Sequence, residues 1–232
     1  MLSNEVEVLA VGESCAALLL TPKARVIATV TVWRRGDDDF LLLTEPELGE
    51  RLSAELTRHR FAAKAAIQQE EHVSILVIGE EASGGAIPNK DYGIPAYEAI
   101  DGNVPDRAEP ISDEELEVLR IRATTPRMGA EIDDRVLPAE AGLEDRAISF
   151  TKGCYPGQEP VARLHSRGHA NRRLRVLDVT GDVIPGAELT YEGKVVGRVT
   201  SAVPGHALAY VRTEVPENGD LTIGEARGRL RP

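Results

Sequence analysis

An α+β domain followed by a small antiparallel β-barrel is the fold class predicted here, on three observations. Up to Ala123, runs of alternating apolar residues are interleaved with two stretches of helical period. From Arg173 onward the pattern changes to short runs cut by Pro185-Gly186, Glu192-Gly193 and Pro204-Gly205, the punctuation of a small barrel. The 232 residues, 42% hydrophobic and 28% charged, are enough to bury two cores and too apolar for a disordered chain. The expected division is residues 1–170 and 171–232.

The elements follow in order. Val26, Ala28, Val30 and Val32 alternate through residues 25–33, which predicts a half-buried strand. Residues 35–39 supply a turn and 40–43 the returning strand. Thr44-Glu-Pro-Glu47 reads as a capping box with Pro46 in the first helical turn. Leu48, Leu52 and Leu56 stack on the helix it opens, which ends near Arg60. Residues 64–68 and 73–78 read as further strands, and 79–90, rich in Gly, Ser and Pro, as a loop. Ser112-Asp-Glu-Glu115 is a second capping box, opening a helix with Leu116, Leu119 and Ala123 on one face. Residues 124–142 contain Pro126, Gly129, Pro138 and Gly142 and are too broken for a long element. Barrel strands are expected at 174–179, 187–191, 194–203, 206–213 and 221–224.

Net charge is −11, unevenly spread: residues 163–232 hold 11 Lys and Arg against 8 Asp and Glu, the remainder 16 against 30. The acidic majority disfavours nonspecific nucleic-acid binding. A local basic run, Arg163, His165, Arg167, His169, Arg172, Arg173 and Arg175, could receive a polyanion, though a solvated connector between domains is the more frequent explanation for such runs. Apolar runs such as residues 16–20 and 75–78 are far shorter than a bilayer span, so no membrane partner is expected. Met1 is followed by acidic residues rather than a secretory pattern, and Cys15 and Cys154 have no pairing spacing; a cytoplasmic, reduced protein is the simplest reading.

The most chemical stretch is Lys152-Gly-Cys-Tyr-Pro-Gly-Gln-Glu159, a lone thiol in a turn where Gly153 and Gly157 permit unusual backbone and Pro156 fixes a φ angle. Lys152 beside the thiol favours thiolate. A plain Gly/Pro turn with Cys154 as filler is the competing reading.

That string resembles the signature of the YgfZ family of folate-binding proteins, which shares its fold with the glycine-cleavage T-protein, an aminomethyltransferase. Other blocks resemble the family in the same order: Thr21-Pro-Lys-Ala-Arg-Val-Ile27, Leu119-Arg-Ile121, Pro126-Arg-Met-Gly-Ala-Glu-Ile-Asp133, Leu137-Pro-Ala-Glu-Ala-Gly142, Val196-Gly-Arg-Val-Thr-Ser201 and Ala207-Leu-Ala-Tyr-Val-Arg212. The resemblance implies an aminomethyltransferase-like, folate-binding first domain, with tetrahydrofolate as cofactor and a role in iron–sulfur cluster assembly or repair beside client or assembly proteins. It also implies a strand-and-helix unit ahead of the segment matching residues 1–20, an N-terminal shortening that would leave a sheet edge for dimerisation to cover.

Residue by residue, the resemblance assigns Arg120 to the folate cavity and makes Cys154, with Lys152, the reactive pair. Tyr92 and Tyr97 are candidate pterin walls, Tyr155 is a further folate-binding candidate, and Gln158 and Glu159 close the motif as ligand contacts or as fixers of the turn through backbone bonds or an ion pair with Lys152 or Arg163. Thr124 and Ala96 stand where the family usually carries glycine. Ala28 and Thr29 occupy the positions of the T-protein's paired aspartates, and neither transfers a proton near neutral pH, which disfavours aminomethyl transfer. For Cys154 three roles stand: a nucleophile with His165 or His169 as base, a metal ligand with the same histidines, or transient contact with an iron–sulfur cluster or one-carbon adduct. A closed zinc site needs four ligands and lacks a second neighbouring cysteine, so no resident metal is expected. The rival functions are a tetrahydrofolate-dependent aminomethyltransferase and a non-catalytic interaction module.

Overall fold

The alternating run at 25–33 becomes the middle strand of a three-stranded sheet. The structure, a computed structural model, describes residues 1–60 and 64–231. These group into two units: Met1–Lys90, Ile94–Ala108 and Leu143–Arg163 in the first, Asp91–Gly93, Glu109–Gly142 and Leu164–Pro232 in the second.

In the first unit, β1 (Ser14–Leu20), β2 (Val26–Gly36) and β3 (Asp39–Leu43) pair antiparallel in the order β1-β2-β3. Val26, Ala28, Val30 and Val32 are all buried, as their alternation requires. The strand β1 carries an unbroken apolar run, buried from Ala17 to Leu20, and such a run has no period to reveal it. Its outer edge is closed from within. Ser3 donates its N–H to the Leu18 carbonyl at 2.9 Å, its Oγ accepts the Leu18 N–H at 2.8 Å, and the Asn4 amide donates to Ala16 O at 2.7 Å. The edge expected to await a second copy is thus satisfied along Ala16–Leu18 by the chain's own first residues.

The first capping box does not form. Thr44 donates its hydroxyl to the Thr29 carbonyl at 2.8 Å, and a 3₁₀ turn, Pro46–Leu48, precedes α1 (Gly49–Arg58), whose Leu52 and Leu56 are buried. The pull of the neighbouring strand on the hydroxyl outweighs the local cap. Residues 64–68 form no strand; apart from half-buried Ile67 they are exposed and offer no apolar face. A second sheet has the order β4-β6-β5, built from β4 (Ser74–Ile78), β5 (Ile87–Pro88) and β6 (Ala96–Ile100), so two residues of the expected loop pair as a short strand. The His72 ring is bracketed by Asp101 at 2.6 Å and Glu70 at 3.0 Å, and hydrogen bonds from Arg35 hold the Glu70 carboxyl down at about 2. Two short helices complete this part of the sequence: α3 (Glu144–Ala147), and α4 (Gln158–Arg167), whose second half carries the start of the basic run.

In the second unit the predicted capping box opens α2 (Asp113–Arg122): Ser112 Oγ accepts the Glu115 N–H at 3.2 Å and Glu115 accepts the Ser112 N–H at 3.0 Å. Its buried residues are Arg120 and Ile121, whereas Leu116 and Leu119 are half-buried. Six strands close into an antiparallel barrel of order β10-β7-β12-β11-β8-β9: β7 (Arg172–Thr180), β8 (Glu188–Tyr191), β9 (Lys194–Val203), β10 (His206–Arg212), β11 (Asp220–Ile223) and β12 (Ala226–Leu230). Leu177, Leu189, Val199 and Leu221 sit at its centre. Five of the six strands were expected. The sixth, β12, escapes because its inward residues are Ala226, Gly228 and Leu230; a Cβ at Gly228 would lie 3.0 Å from Ile223 Cδ1, so the slot must stay small. The remainder of the basic run begins β7 rather than forming a connector.

Past the end of α2, Thr124 has φ +57°. A β-branched residue is disfavoured in this left-handed region, and glycine is its natural occupant. Thr124→Gly should therefore stabilise the chain by about 1 kcal/mol, the relief of strain outweighing the added freedom of the unfolded chain. A urea midpoint unchanged or lowered by the substitution would refute this.

Candidate functional site

The cysteine turn is built from its neighbours inward. Ser149 Oγ accepts the N–H groups of Thr151 (3.4 Å) and Lys152 (3.2 Å), which starts the turn. Tyr155 is 7% exposed and anchors the middle, its phenol pushed up first by burial and then by Glu144. Gly157, at φ +82°, starts the exit: its carbonyl accepts the Val161 N–H, and Pro160 stands in the first turn of α4, where a missing N–H costs little. A Cβ on Gly157 would lie 2.6 Å from the Thr21 carbonyl oxygen and 3.0 Å from Ala24 Cα. The turn is thus pressed against the backbone between β1 and β2, and only glycine permits that approach.

Lys152 points away from the expected role. Its Nζ donates to Leu2 O at 2.9 Å and Asn4 O at 2.7 Å, tying the cysteine turn to the segment that caps β1. The ammonium also acts on Cys15, a half-buried thiol whose pKa is raised by burial and partly lowered again by Lys152. Cys154 itself is exposed. Neither Gln158 nor Glu159 makes a side-chain hydrogen bond or ion pair among the described residues, so the turn is held by Ser149, Tyr155 and Gly157 and not by the motif's last two residues. Lys152 serves backbone carbonyls rather than Glu159.

Arg120 is the hub of a buried cluster in the second unit. Its Nε and one terminal nitrogen grip Glu117 at 2.8 and 2.6 Å; the remaining donors reach Thr125 O (2.7 Å), Glu131 (2.9 Å) and Ser201 Oγ (2.9 Å). All five guanidinium N–H groups are therefore engaged. The Ser201 hydroxyl donates a hydrogen bond to Glu131 at 2.6 Å, and Glu131, 2% exposed, also accepts the Arg127 N–H. The Tyr210 hydroxyl, kept protonated by burial, donates to the Glu131 carbonyl at 3.0 Å. Sequence reasoning missed Glu131 and Ser201; the available signal was an acid set among small and apolar residues in Gly129-Ala-Glu-Ile132.

These geometries bear on the folate that the resemblance implies. Arg120 has no donor left for a glutamate tail unless Glu117 is exchanged for it, and Tyr155 is packed away. Arg120 and Tyr155 are thus both engaged within the protein. Tyr92, half-buried, lies in the second unit beside Gly93, whose Cβ position is 3.3 Å from Ala123 at the end of α2. Two open clefts exist elsewhere: one of about 500 Å³ lined by Gly12–Ser14 and the 82–88 segment, the other of about 940 Å³ lined by Glu140, His169, Arg172 and Arg212. Neither is lined by Cys154, Lys152, Arg120 or any candidate tyrosine. Among the described residues, no three His, Cys, Asp or Glu side chains converge as metal ligands. Ala28 is fully buried and Thr29 half-buried; neither is ionisable.

The whole fold matches glycine-cleavage aminomethyltransferase T from Bartonella henselae, with TM-score 0.82 and 19% identity over 98% of this chain and 76% of that one. The class is therefore that of the aminomethyltransferase-like fold with a C-terminal barrel. Residues 171–232 match the family model of the CAF17 C-terminal beta-barrel domain. Human mitochondrial iron-sulfur cluster assembly factor IBA57 is 41% identical over 99 residues, 40% of this chain and 28% of that protein. The tRNA-modifying protein YgfZ of Vibrio atlanticus is 33% identical over 86 residues, 37% of this chain and 27% of that one. The barrel thus carries the CAF17 C-terminal family match, the chain is similar to YgfZ and IBA57 proteins, and these matches span under a third of the length of the two relatives.

Two outcomes follow. Gly157→Ala combines strained φ with a backbone collision and should lower stability by more than about 2 kcal/mol in urea denaturation; a loss under half of that would contradict the close packing. Brief alkylation by iodoacetamide at neutral pH should label Cys154 well before Cys15, whose burial shields it and delays its thiolate to higher pH. Equal labelling by mass spectrometry would contradict the assigned environments.

Proposed function

We propose that this chain is a thiol-presenting factor in iron–sulfur cluster assembly or repair, working in a reducing, cytoplasmic setting, with tetrahydrofolate as its small-molecule ligand. The single observation that carries the reading is an exposed Cys154 on a turn immobilised at both ends. Lys152 tethers the turn on one side and Gly157 locks it on the other, so the thiol is offered outward without freedom to fold back. An exposed single thiol suits transient contact with a cluster: it loses its proton as the sulfur–iron bond forms and regains it on release. It suits a permanent site poorly, because the remaining ligands must come from the client or the cluster's own shell. Lys152 and Gly157 act as positioning residues. Tetrahydrofolate is proposed from the resemblance of the sequence motifs, with Arg120 shaping the end of α2 rather than grasping the ligand. Ala28 and Thr29 offer no proton acceptor, which speaks against aminomethyl transfer.

In cells lacking the endogenous protein, Cys154→Ser should fail to restore the activity of an iron–sulfur enzyme, while Cys15→Ser restores it at equal abundance. Full rescue by Cys154→Ser would remove the thiol from the mechanism. Anaerobic calorimetric titration with tetrahydrofolate tests the ligand separately: measurable binding is expected, and none would end the folate part while leaving the thiol part standing.

A further inference from the structure

We infer that His72, held between the carboxylates of Glu70 and Asp101, is a pH-sensitive latch that pins residues 68–73 across the two sheets of the first unit and loosens them as the solution turns alkaline. The device involves none of the residues around Cys154 and stands apart from the thiol reading.

Residues 68–73 are exposed and form no regular element, so their course is fixed by side-chain bonds rather than by a packed face. The His72 ring supplies such bonds at both nitrogens: Nδ1 lies 2.6 Å from Asp101 and Nε2 lies 3.0 Å from Glu70. Each partner is itself anchored. Arg35, in β2, grips both oxygens of Glu70 at 2.7 and 3.2 Å and reaches Asp39 of β3 at 2.9 Å. Asp101 directly follows β6. Its other carboxylate oxygen accepts the Val73 N–H at 2.9 Å, and its own N–H donates to Val73 O at 2.7 Å. Its φ of +52° is a left-handed conformation that aspartate tolerates better than most residues. A Cβ on the following Gly102 would lie 2.9 Å from Ala99 Cβ, so the turn that presents this carboxylate to the ring is a tight one.

Two carboxylates call for two donors. A neutral imidazole carries one N–H, whereas imidazolium carries two and neutralises the acids on either side. The ring pKa is accordingly raised, first by Asp101 and then by Glu70, and the Asp101 carboxyl is lowered, first by His72 and then by the Val73 N–H. Arg35 and Glu70, the latter held at about 2, keep their charges through the neutral range, so His72 is the member that changes. Of the other acids at hand, Glu98 of β6 is engaged by Ser74 and Asn89, each at 2.9 Å, and Glu71 makes no ion pair among the described residues. Because the folded form favours the protonated ring, the latch is closed below the ordinary histidine pKa of about 6.5 and is lost as pH rises through the raised value. Whichever N–H then remains, one carboxylate faces a lone pair and one of the two links is broken.

The test follows the whole chain between about pH 5 and 9. Imidazole resonances in NMR give the His72 midpoint, and exchange of the Val73 amide, corrected for its intrinsic rate, gives the opening. The midpoint should lie above that of an unstructured histidine. Val73 protection should fall through the same midpoint, by up to about tenfold for each pH unit of elevation. Asp101→Asn, which keeps an acceptor for Val73 and tolerates the left-handed turn, should lower the midpoint, and His72→Gln should make Val73 protection independent of pH. Amides of β10, paired on both sides in the barrel, should stay equally protected throughout. A midpoint at or below the ordinary value, Val73 protection constant through the titration, or a parallel loss of protection in β10 would each overturn the proposal.

Discussion

A thiol can be held out at a surface only if the backbone on either side of it is prevented from moving, and here that condition is met by one close approach. Gly157 lies so near the Thr21 carbonyl and Ala24 that no side chain fits between them. The contact joins a turn late in the sequence to the link between the first two strands. Lys152 repeats the connection on the other flank, from its ammonium to the carbonyls of Leu2 and Asn4. Because Asn4 and its neighbour Ser3 also bond to β1, the cysteine turn and the sheet edge are parts of one constraint. Charge-assisted bonds of this kind contribute about 1.5–3 kcal/mol each, enough to bias a loop strongly toward one conformation.

The second unit depends on a different device. Arg120 and Glu131 are both nearly inaccessible, and both find hydrogen-bond partners among protein groups. Such a cluster adds little net stability over an apolar core, but removing one member strands the other. Its effect is geometric: it fixes the strained corner at Thr124 to the barrel residue Ser201 within the same unit. An arginine whose motif points to a ligand carboxylate is already occupied by Glu117, Glu131 and Ser201.

Both cases show why local reading reaches the elements before it reaches the roles. The capping box at Ser112 was legible because all its partners lie within four residues. The one at Thr44 failed because a carbonyl fifteen residues away claimed the hydroxyl. The alternation in β2 announced a strand, whereas β1 and β12 hid theirs, one by being apolar throughout and the other by using glycine where an apolar side chain was expected. The motif singled out Cys154, which is exposed, and suggested that Lys152 would serve it; the Lys152 ammonium donates to the Leu2 and Asn4 carbonyls.

By itself, then, the sequence determined the class of fold, most barrel strands and the singular position of Cys154, because periodicity, turn residues and short motifs are local properties. Only the tertiary structure decided what Lys152, Arg120 and Gly157 hold. Their partners lie far along the chain at Leu2, Ser201 and Thr21, and a hydrogen-bond donor is committed by whichever acceptor the fold brings within 3 Å of it, whatever its neighbours in sequence suggest.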